Sequence, residues 1–200
     1  MRDSRGFTLI ELLVVSAIIV IVSGIILVNN NRFGGVIQLE NLAYDVALSI
    51  RQAQVYGISV QRFGSSTFSA GYGVHFDISS PNTYITFADA LTANGLYDCP
   101  SPGTSACELV QSTTITQGYH IQALCVTPPV GAEDCTVHKV DALFVRPEPD
   151  AWISGSDTSC VLQHGTCQEG ARVVLISPRG ETMSVIVEAN GQIAVRRGPQ

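Results

Sequence analysis

The feature that most constrains this chain is an apolar run near its N-terminus, from Phe7 to Val28, whose single charged residue is Glu11. As a helix that rises about 1.5 Å per residue, the run is just long enough to cross a hydrocarbon core of roughly 30 Å. A removable secretory signal has a shorter apolar region that ends at a small-residue cleavage site, and no such boundary interrupts this run. We therefore predict a membrane-spanning helix that the mature protein retains.

Positive charges flank the run on its N-terminal side. Arg2 and Arg5 precede it, and no further Lys or Arg occurs before Arg32. Because the cytoplasmic flanks of membrane spans are enriched in Lys and Arg, the N-terminus is predicted to lie inside. The larger part of the chain, from Asn29 to Gln200, is then outside the cytoplasm.

Glu11 is the anomaly within this span. A carboxylate in a membrane helix is unfavourable by about 3 kcal/mol even on lenient scales, so it normally has a partner. If the chain is cut between Gly6 and Phe7, a new α-amino group appears four residues before Glu11, on the same helix face and close to a neighbouring chain in a bundle. The carboxylate would then neutralise a buried ammonium.

The residues around this position carry a family resemblance. The stretch Gly6-Phe7-Thr8-Leu9-Ile10-Glu11-Leu12-Leu13-Val14-Val15 resembles the processing motif of type IV pilins and type II secretion pseudopilins. The resemblance implies that prepilin peptidase cleaves after Gly6 and methylates the amine of Phe7, and that Glu11 acts in assembly. It also implies other pilin subunits and an inner-membrane assembly platform as partners. A single-pass anchor that begins this way by chance is the alternative.

The cysteines fall into local pairs. The pairs are Cys99 with Cys107, Cys125 with Cys135, and Cys160 with Cys167. Six cysteines allow 15 pairings, but short loops lose the least chain entropy on closure, which favours these three sequential disulfides. Disulfides imply an oxidising compartment, in agreement with the predicted outside location. Zinc binding is disfavoured because no close Cys-x-x-Cys spacing accompanies the histidines.

After Gly34-Gly35, apolar or small residues recur at alternating spacings of three and four, which predicts a helix with one buried stripe. The stripe is Val36, Leu39, Ala43, Val46, Ile50, Ala53 and Gly57. The remainder is predicted to be β-rich. Candidate strands are Gly73–Phe76, Thr83–Phe87, Tyr119–Val126, Val137–Val145, Arg172–Ser177, Met183–Glu188 and Gln192–Arg197. The stretch between Ala88 and Gly118 is rich in Thr, Ser, Pro and Gly and is predicted to be a variable surface loop.

We therefore predict an α+β fold, in which a long N-terminal helix, membrane-spanning in its first half, packs on a C-terminal antiparallel β-sheet head. The predicted segments are a cleaved leader (1–6), a transmembrane and assembly helix (7–28), an amphipathic continuation (29–57) and a β-rich globular head (58–200). In outline this layout also resembles the GspH/FimT branch of pseudopilins, which implies a pair of β-sheets against the helix.

No enzyme motif is visible in the sequence. It contains no phosphate-binding glycine loop, nucleophile elbow or metalloprotease helix motif, so we predict no enzyme activity and no cofactor. Glu148, Asp150 and Asp157 lack the ligand spacing of a known calcium loop, which favours a solvated surface over a metal site. The predicted function is a minor pilin or pseudopilin of a type IV pilus or a type II secretion pseudopilus, in the inner membrane with its head in the periplasm or outside the cell, and later in the filament.

The alternative function rests on the closing pair Arg196-Arg197. Relatives in the FimT branch are associated with DNA uptake through a basic C-terminal motif, so the resemblance implies a DNA-binding minor pilin with DNA as a partner. Gln192 departs from that motif, because a basic residue would be expected after the glycine. The net charge of −6 also makes the average surface repel nucleic acid, which favours an ordinary solvated strand end.

Overall fold

The structure, a computed structural model, describes residues 7–59, 61–64, 70–100, 107–156, 158–161 and 166–198, without the side chains of 28–33. The predicted cleavage residue Gly6 and the predicted surface residue Asp157 lie outside the described residues. The chain has the predicted α+β fold. It divides into two compact units, of which the first extends to Gln38 and the second runs from Leu39 to Gln200.

The helix α1 spans Leu9–Ile58. Its first part, Leu9–Leu27, is apolar and long enough to cross a membrane, and all of its side chains are exposed in the chain by itself. In the second unit the predicted stripe is buried from Leu39 to Ala53, as the spacing indicated. Gly57 closes the stripe, because a Cβ there would lie 2.2 Å from the carbonyl oxygen of Phe144.

The strands form two antiparallel sheets. Their bounds are β1 Gly71–Asp77, β2 Thr83–Asp89, β3 Leu109–Thr114, β4 His120–Thr127, β5 Lys139–Phe144, β6 Ala151–Gly155, β7 Gly170–Ile176, β8 Thr182–Glu188 and β9 Ile193–Arg197. The five-stranded sheet has the order β3-β2-β1-β5-β6, and the four-stranded sheet has the order β4-β7-β8-β9. The last hairpin turns at Asn190-Gly191, where Gly191 has a φ of 78° that favours glycine.

One main core joins the helix stripe to both sheets. Ile50 of the helix, Phe144 of β5 and Val185 of β8 belong to the same buried cluster. Because side chains alternate along a strand, each sheet turns one face to this core and the other away from it. We call the face turned away the outer face of that sheet.

The predicted surface loop between Ala88 and Gly118 is wrong in part. The stretch contains the strand β3, which pairs with β2 from Thr83–Thr114 to Phe87–Leu109. β3 lies at the edge of its sheet and most of its side chains are exposed, so its sequence lacks the alternation that marks a half-buried strand. The short strand β6 was not predicted either, and it pairs with β5.

Candidate assembly site and the surfaces of the head

The N-terminal end of α1 is organised by Thr8 and Glu11. The backbone N–H of Glu11 donates to Thr8 Oγ1 at 3.3 Å, while Glu11 Oε2 accepts from the backbone N–H of Thr8 at 3.4 Å and from Thr8 Oγ1 at 3.2 Å. A threonine followed three residues later by a glutamate forms a capping box, in which each side chain satisfies a backbone N–H group near the other residue. The first turn of the helix is therefore closed by its own side chains.

This arrangement gives Glu11 a local contact that sequence reasoning missed. The prediction named only the amine of Phe7 as a partner, although the spacing Thr8-x-x-Glu11 is itself a signal for a capping box. Among the described residues, Glu11 Oε1 has no hydrogen-bond partner. One carboxylate oxygen is therefore held by Thr8 and the other remains available to a donor from outside the chain.

The side chains around Glu11 are apolar and uncovered. Phe7 is 81% exposed, Leu9 is 84% exposed and Leu12 is 65% exposed. An apolar surface that continues over the whole length of Leu9–Leu27 is unfavourable in water, which is why such a helix requires lipid or other helices around it.

All of the cysteines form disulfides in the structure. The bonded pairs are Cys99–Cys107, Cys125–Cys135 and Cys160–Cys167. Cys125 lies in β4, so its disulfide fastens the connection after β4 to the outer face of the four-stranded sheet. Glu133 lies beside this disulfide, but two bonded sulfurs offer no thiolate, so the group is a poor metal site.

Glu133 instead pairs with Arg172 of β7. Arg172 Nε donates to Glu133 Oε1 at 2.7 Å, and Arg172 Nη2 donates to Glu133 Oε2. The hydrogen bond to Glu133 raises the pKa of Arg172 above its usual value. Both side chains remain partly exposed, so this pair belongs to the surface of the four-stranded sheet.

The five-stranded sheet has a cover over its outer face, and Glu108 anchors it. Glu108 is fully buried. Its Oε1 accepts from the backbone N–H groups of Ala90 at 2.9 Å and Leu91 at 2.8 Å, and its Oε2 accepts from that of Asp98 at 3.1 Å. Buried polar groups need such partners, so the connection 90–98 is tied to one carboxylate. We call this connection the cover; it lies within the predicted surface loop, and the buried carboxylate holds it in place.

A second carboxylate, Asp89, holds the middle of the cover. Its two oxygens accept from the backbone N–H groups of Asn94 at 3.1 Å and Gly95 at 3.0 Å. Burial raises the pKa of Asp89 to about 6, and the nearby acids Glu108 and Asp98 act in the same direction, while the two hydrogen bonds oppose the shift.

His75, Asp141 and Ser154 lie in one row across three strands beneath the cover. His75 Nδ1 is 2.7 Å from Asp141 Oδ1, and Ser154 Oγ accepts from the backbone N–H of Cys160 at 3.0 Å. A nucleophile triad needs the histidine between the acid and the serine, whereas this row has the acid between them. The row is therefore not arranged as a catalytic triad.

The basic residues Arg196 and Arg197 lie at the end of β9. They are exposed and pair with Ser184 and Met183 of β8, respectively. Because successive residues of a strand point to opposite faces, the two guanidinium groups leave the sheet on different sides. The structure therefore does not bring them together as one patch.

Comparison with known proteins gives one match. Residues 1–27 match the family described as the prokaryotic N-terminal methylation motif. The search of curated proteins and the search of solved structures found no match. The motif is a type IV pilin signal, and it implies processing by prepilin peptidase and assembly with other pilins. The predicted resemblance is confirmed for residues 1–27, which are type IV pilin-like.

Proposed function

We propose that this protein is a minor pilin or pseudopilin, a structural subunit that is cut after Gly6, methylated at Phe7 and assembled into a filament through its N-terminal helix. The observation that carries the proposal is the match of residues 1–27 to the methylation motif, with Glu11 set in an otherwise exposed apolar helix. The bounds of the leader and of the membrane segment, 1–6 and 7–28, belong to the same proposal.

Glu11 favours one axial alignment between the N-terminal helices of neighbouring subunits. In lipid or in a helical bundle its carboxylate is unfavourable unless a donor reaches it. Cleavage would convert the nitrogen of Phe7 from a peptide amide to an ammonium, and the Phe7 of a neighbouring subunit could donate to the open Oε1. Such a charge-assisted hydrogen bond is about twice as strong as a neutral one. The axial position of one subunit against the next that forms this contact is then favoured over positions that lack it.

Thr8 positions the carboxylate for this step. Its hydroxyl and backbone N–H hold Oε2 before any neighbour arrives, so Glu11 loses little further side-chain freedom on pairing. The disulfides of the head agree with its placement on the oxidising side of the inner membrane. Within the filament, the subunit has a structural role.

The test separates processing from assembly. We expect Glu11→Ala to be cleaved normally, as shown by the intact mass of the mature protein, and to fall at least about tenfold in sheared filaments, which corresponds to the loss of one strong charged contact. Glu40→Ala removes an acid from the same helix beyond the apolar run and is the matched control. Normal incorporation of Glu11→Ala would contradict the mechanism.

Cleavage itself is tested at Gly6. We expect Gly6→Leu to keep the full precursor mass and to be absent from filaments, because the peptidase no longer acts on it. If Gly6→Leu still yielded a chain that begins at Phe7, the assignment of the cleavage residue would be wrong.

The exposure of Arg196 and Arg197 is the observation behind a second candidate function, a DNA-binding minor pilin. Their position on opposite faces of β9 means that a rigid duplex would contact one at a time, so we expect no salt-sensitive binding of duplex DNA by the purified protein at low salt. Binding that Arg196→Ala and Arg197→Ala together abolish would favour this second function.

A further inference from the structure

The strand β9 is the last strand of the four-stranded sheet, and among the strands that the structure describes it pairs with β8 alone. The backbone N–H of Gly198 donates to the carbonyl oxygen of Thr182 at 3.1 Å, and that of Glu188 donates to the carbonyl oxygen of Gln192 at 2.9 Å. In an antiparallel ladder, hydrogen-bonded pairs alternate with pairs that are not bonded to each other. The even-numbered residues of β9 therefore use their backbone groups to bind β8.

The odd-numbered residues point their backbone groups the other way. Ile193, Val195 and Arg197 direct their N–H and C=O groups away from β8, and the described residues provide no partner for them. Unpaired groups in a row along an edge are a template for another strand. This edge is thus open to a main-chain ladder.

A groove runs beside the open edge, between α1 and the start of β9. It has a volume of about 490 Å³ and is lined by Tyr44, Ala47, Leu48, Arg51, Gln192 and Ile193. Tyr44 is 57% exposed and Leu48 is 66% exposed, although both are large apolar or aromatic residues outside the membrane-like part of the helix. An extended segment bound to the edge would cover these side chains as well as satisfying the backbone groups.

The charges at the groove indicate what kind of segment fits. Arg51 lines the groove, and Arg197 lies on the same strand as the groove residue Ile193, four residues further on and roughly 13 Å along the strand. Two cations flank an edge of a chain whose net charge is −6. A segment with carboxylates at its ends and apolar side chains between them complements both the charge and the apolar wall.

The same charges disfavour a second copy of this chain. If two β9 strands paired antiparallel about Val195, Arg197 of one copy would lie opposite Ile193 of the other and close to the Arg51 of that copy. Like charges brought together across a strand pair are destabilising. A different polypeptide is therefore the better occupant.

We propose that the groove between α1 and β9 accepts an extended acidic segment of a partner protein, which adds to the four-stranded sheet as a fifth strand. Backbone hydrogen bonds to Ile193, Val195 and Arg197 supply the affinity, and contacts with Tyr44, Leu48 and the two arginines supply the selectivity, as in other cases of strand addition. This recognition uses the second half of α1 together with β9 and goes beyond assembly through the apolar first part of the helix.

The test uses the full chain in detergent and a labelled probe peptide, acetyl-Glu-Thr-Val-Thr-Val-Thr-Glu-amide, whose Glu and Val side chains share one face. Fluorescence anisotropy at low salt measures binding. We expect the same peptide with methylated backbone nitrogens, or with Lys in place of Glu, to bind at least about tenfold more weakly, because each removes one source of the complementarity.

The matched variants are Val195→Pro and Val195→Ala. Proline removes an N–H for which the described residues provide no partner, which an edge strand tolerates, whereas alanine keeps that N–H and shortens the same side chain. We expect the proline variant to lose at least about tenfold in affinity and the alanine variant to lose less than about threefold. If the proline variant fails to fold, by circular dichroism, the peptide with methylated nitrogens measures the same contact on the natural protein.

A second comparison uses Arg51→Glu and Arg62→Glu, which make the same change of charge. Arg62 is not a lining residue of the groove, and its neighbour Phe63 packs against Tyr72 and Ala88 of the five-stranded sheet. We expect weaker binding only for Arg51→Glu. Absence of binding at about 1 mM peptide would overturn the proposal. Equal binding of the methylated peptide would overturn it as well. Self-association of the natural chain would also overturn the proposal if Val195→Pro abolished that self-association, since the occupant would then be a second copy.

Discussion

The outer faces of the two sheets differ in how far they are covered, and their acidic residues differ accordingly. The five-stranded sheet is closed by its cover, and beneath it Glu108 and Asp89 direct their oxygens to backbone N–H groups. The outer face of the four-stranded sheet is less covered. Beside the connection that the Cys125–Cys135 disulfide holds there, Glu133 and Arg172 pair where water still reaches them, and we call this the open face. Acids on the closed face are structural anchors, while those on the open face are surface charges.

The difference shows how burial determines how much a carboxylate contributes to the free energy of unfolding. A buried acceptor that is removed leaves its donors without water or protein partners, which is unfavourable by about 1 to 3 kcal/mol for each group. An exposed ion pair that is removed is replaced by hydration, and such pairs contribute at most about 1 kcal/mol. The three acids should therefore differ in their effects on stability.

The largest effect is expected at Glu108. Glu108→Leu fills a similar space and leaves the N–H groups of Ala90, Leu91 and Asp98 unpaired, so we expect the free energy of unfolding to fall by at least about 3 kcal/mol. Urea denaturation followed by circular dichroism measures the loss. Glu108→Gln keeps one acceptor oxygen and should lose less. A loss below about 1 kcal/mol in Glu108→Leu would show that the buried acid contributes no more to stability than an exposed ion pair.

The next effect is a dependence on pH that originates at Asp89. Its pKa is about 6 in the folded protein, against about 3.9 in an unfolded chain. Between these values the folded state binds more protons, so the contribution of Asp89 to stability falls as pH rises from about 4 to about 6 and does not return at pH 7. Over this range the contribution of Asp89 to the free energy of unfolding falls by about 2 to 3 kcal/mol in total.

Two measurements check this dependence. The ¹³C shift of the Asp89 carboxyl carbon should titrate with a midpoint near pH 6, and Asp89→Asn should remove the corresponding slope from the unfolding free energy. Asp77 lies outside the cover, and the hydrogen bonds from Ser79 lower its pKa against the opposing effect of burial, so it serves as an internal reference. A midpoint for Asp89 at or below pH 4 would show that water reaches it.

The smallest effect is expected on the open face. Glu133→Ala should lower the free energy of unfolding by less than about 1 kcal/mol, and the loss should shrink further as salt is added, because the pair is partly exposed. The measurement is urea denaturation at two salt concentrations. A loss as large as that of Glu108→Leu would mean that both faces depend equally on their acids.

Periodic patterns in the sequence were enough for much of the fold. The helical stripe from Leu39 to Ala53 followed from its spacing because an amphipathic helix must bury one side. The turn at Asn190-Gly191 is likewise local in origin, since an Asn-Gly pair between two strands is typical of a hairpin and glycine accepts the positive φ that the turn requires. The edge strand β3 could not be predicted, because an exposed strand leaves no alternating pattern.

Of the candidate site, the sequence by itself predicted Gly6, Phe7 and Glu11, because a short motif at the head of an apolar run depends only on neighbours along the chain. Only the tertiary structure decided that Glu108 and Asp89 anchor a cover, and that β9 has an open edge beside Tyr44 and Leu48. These properties depend on donors and surfaces that come from distant parts of the chain, and no local pattern of residues records which of them will meet.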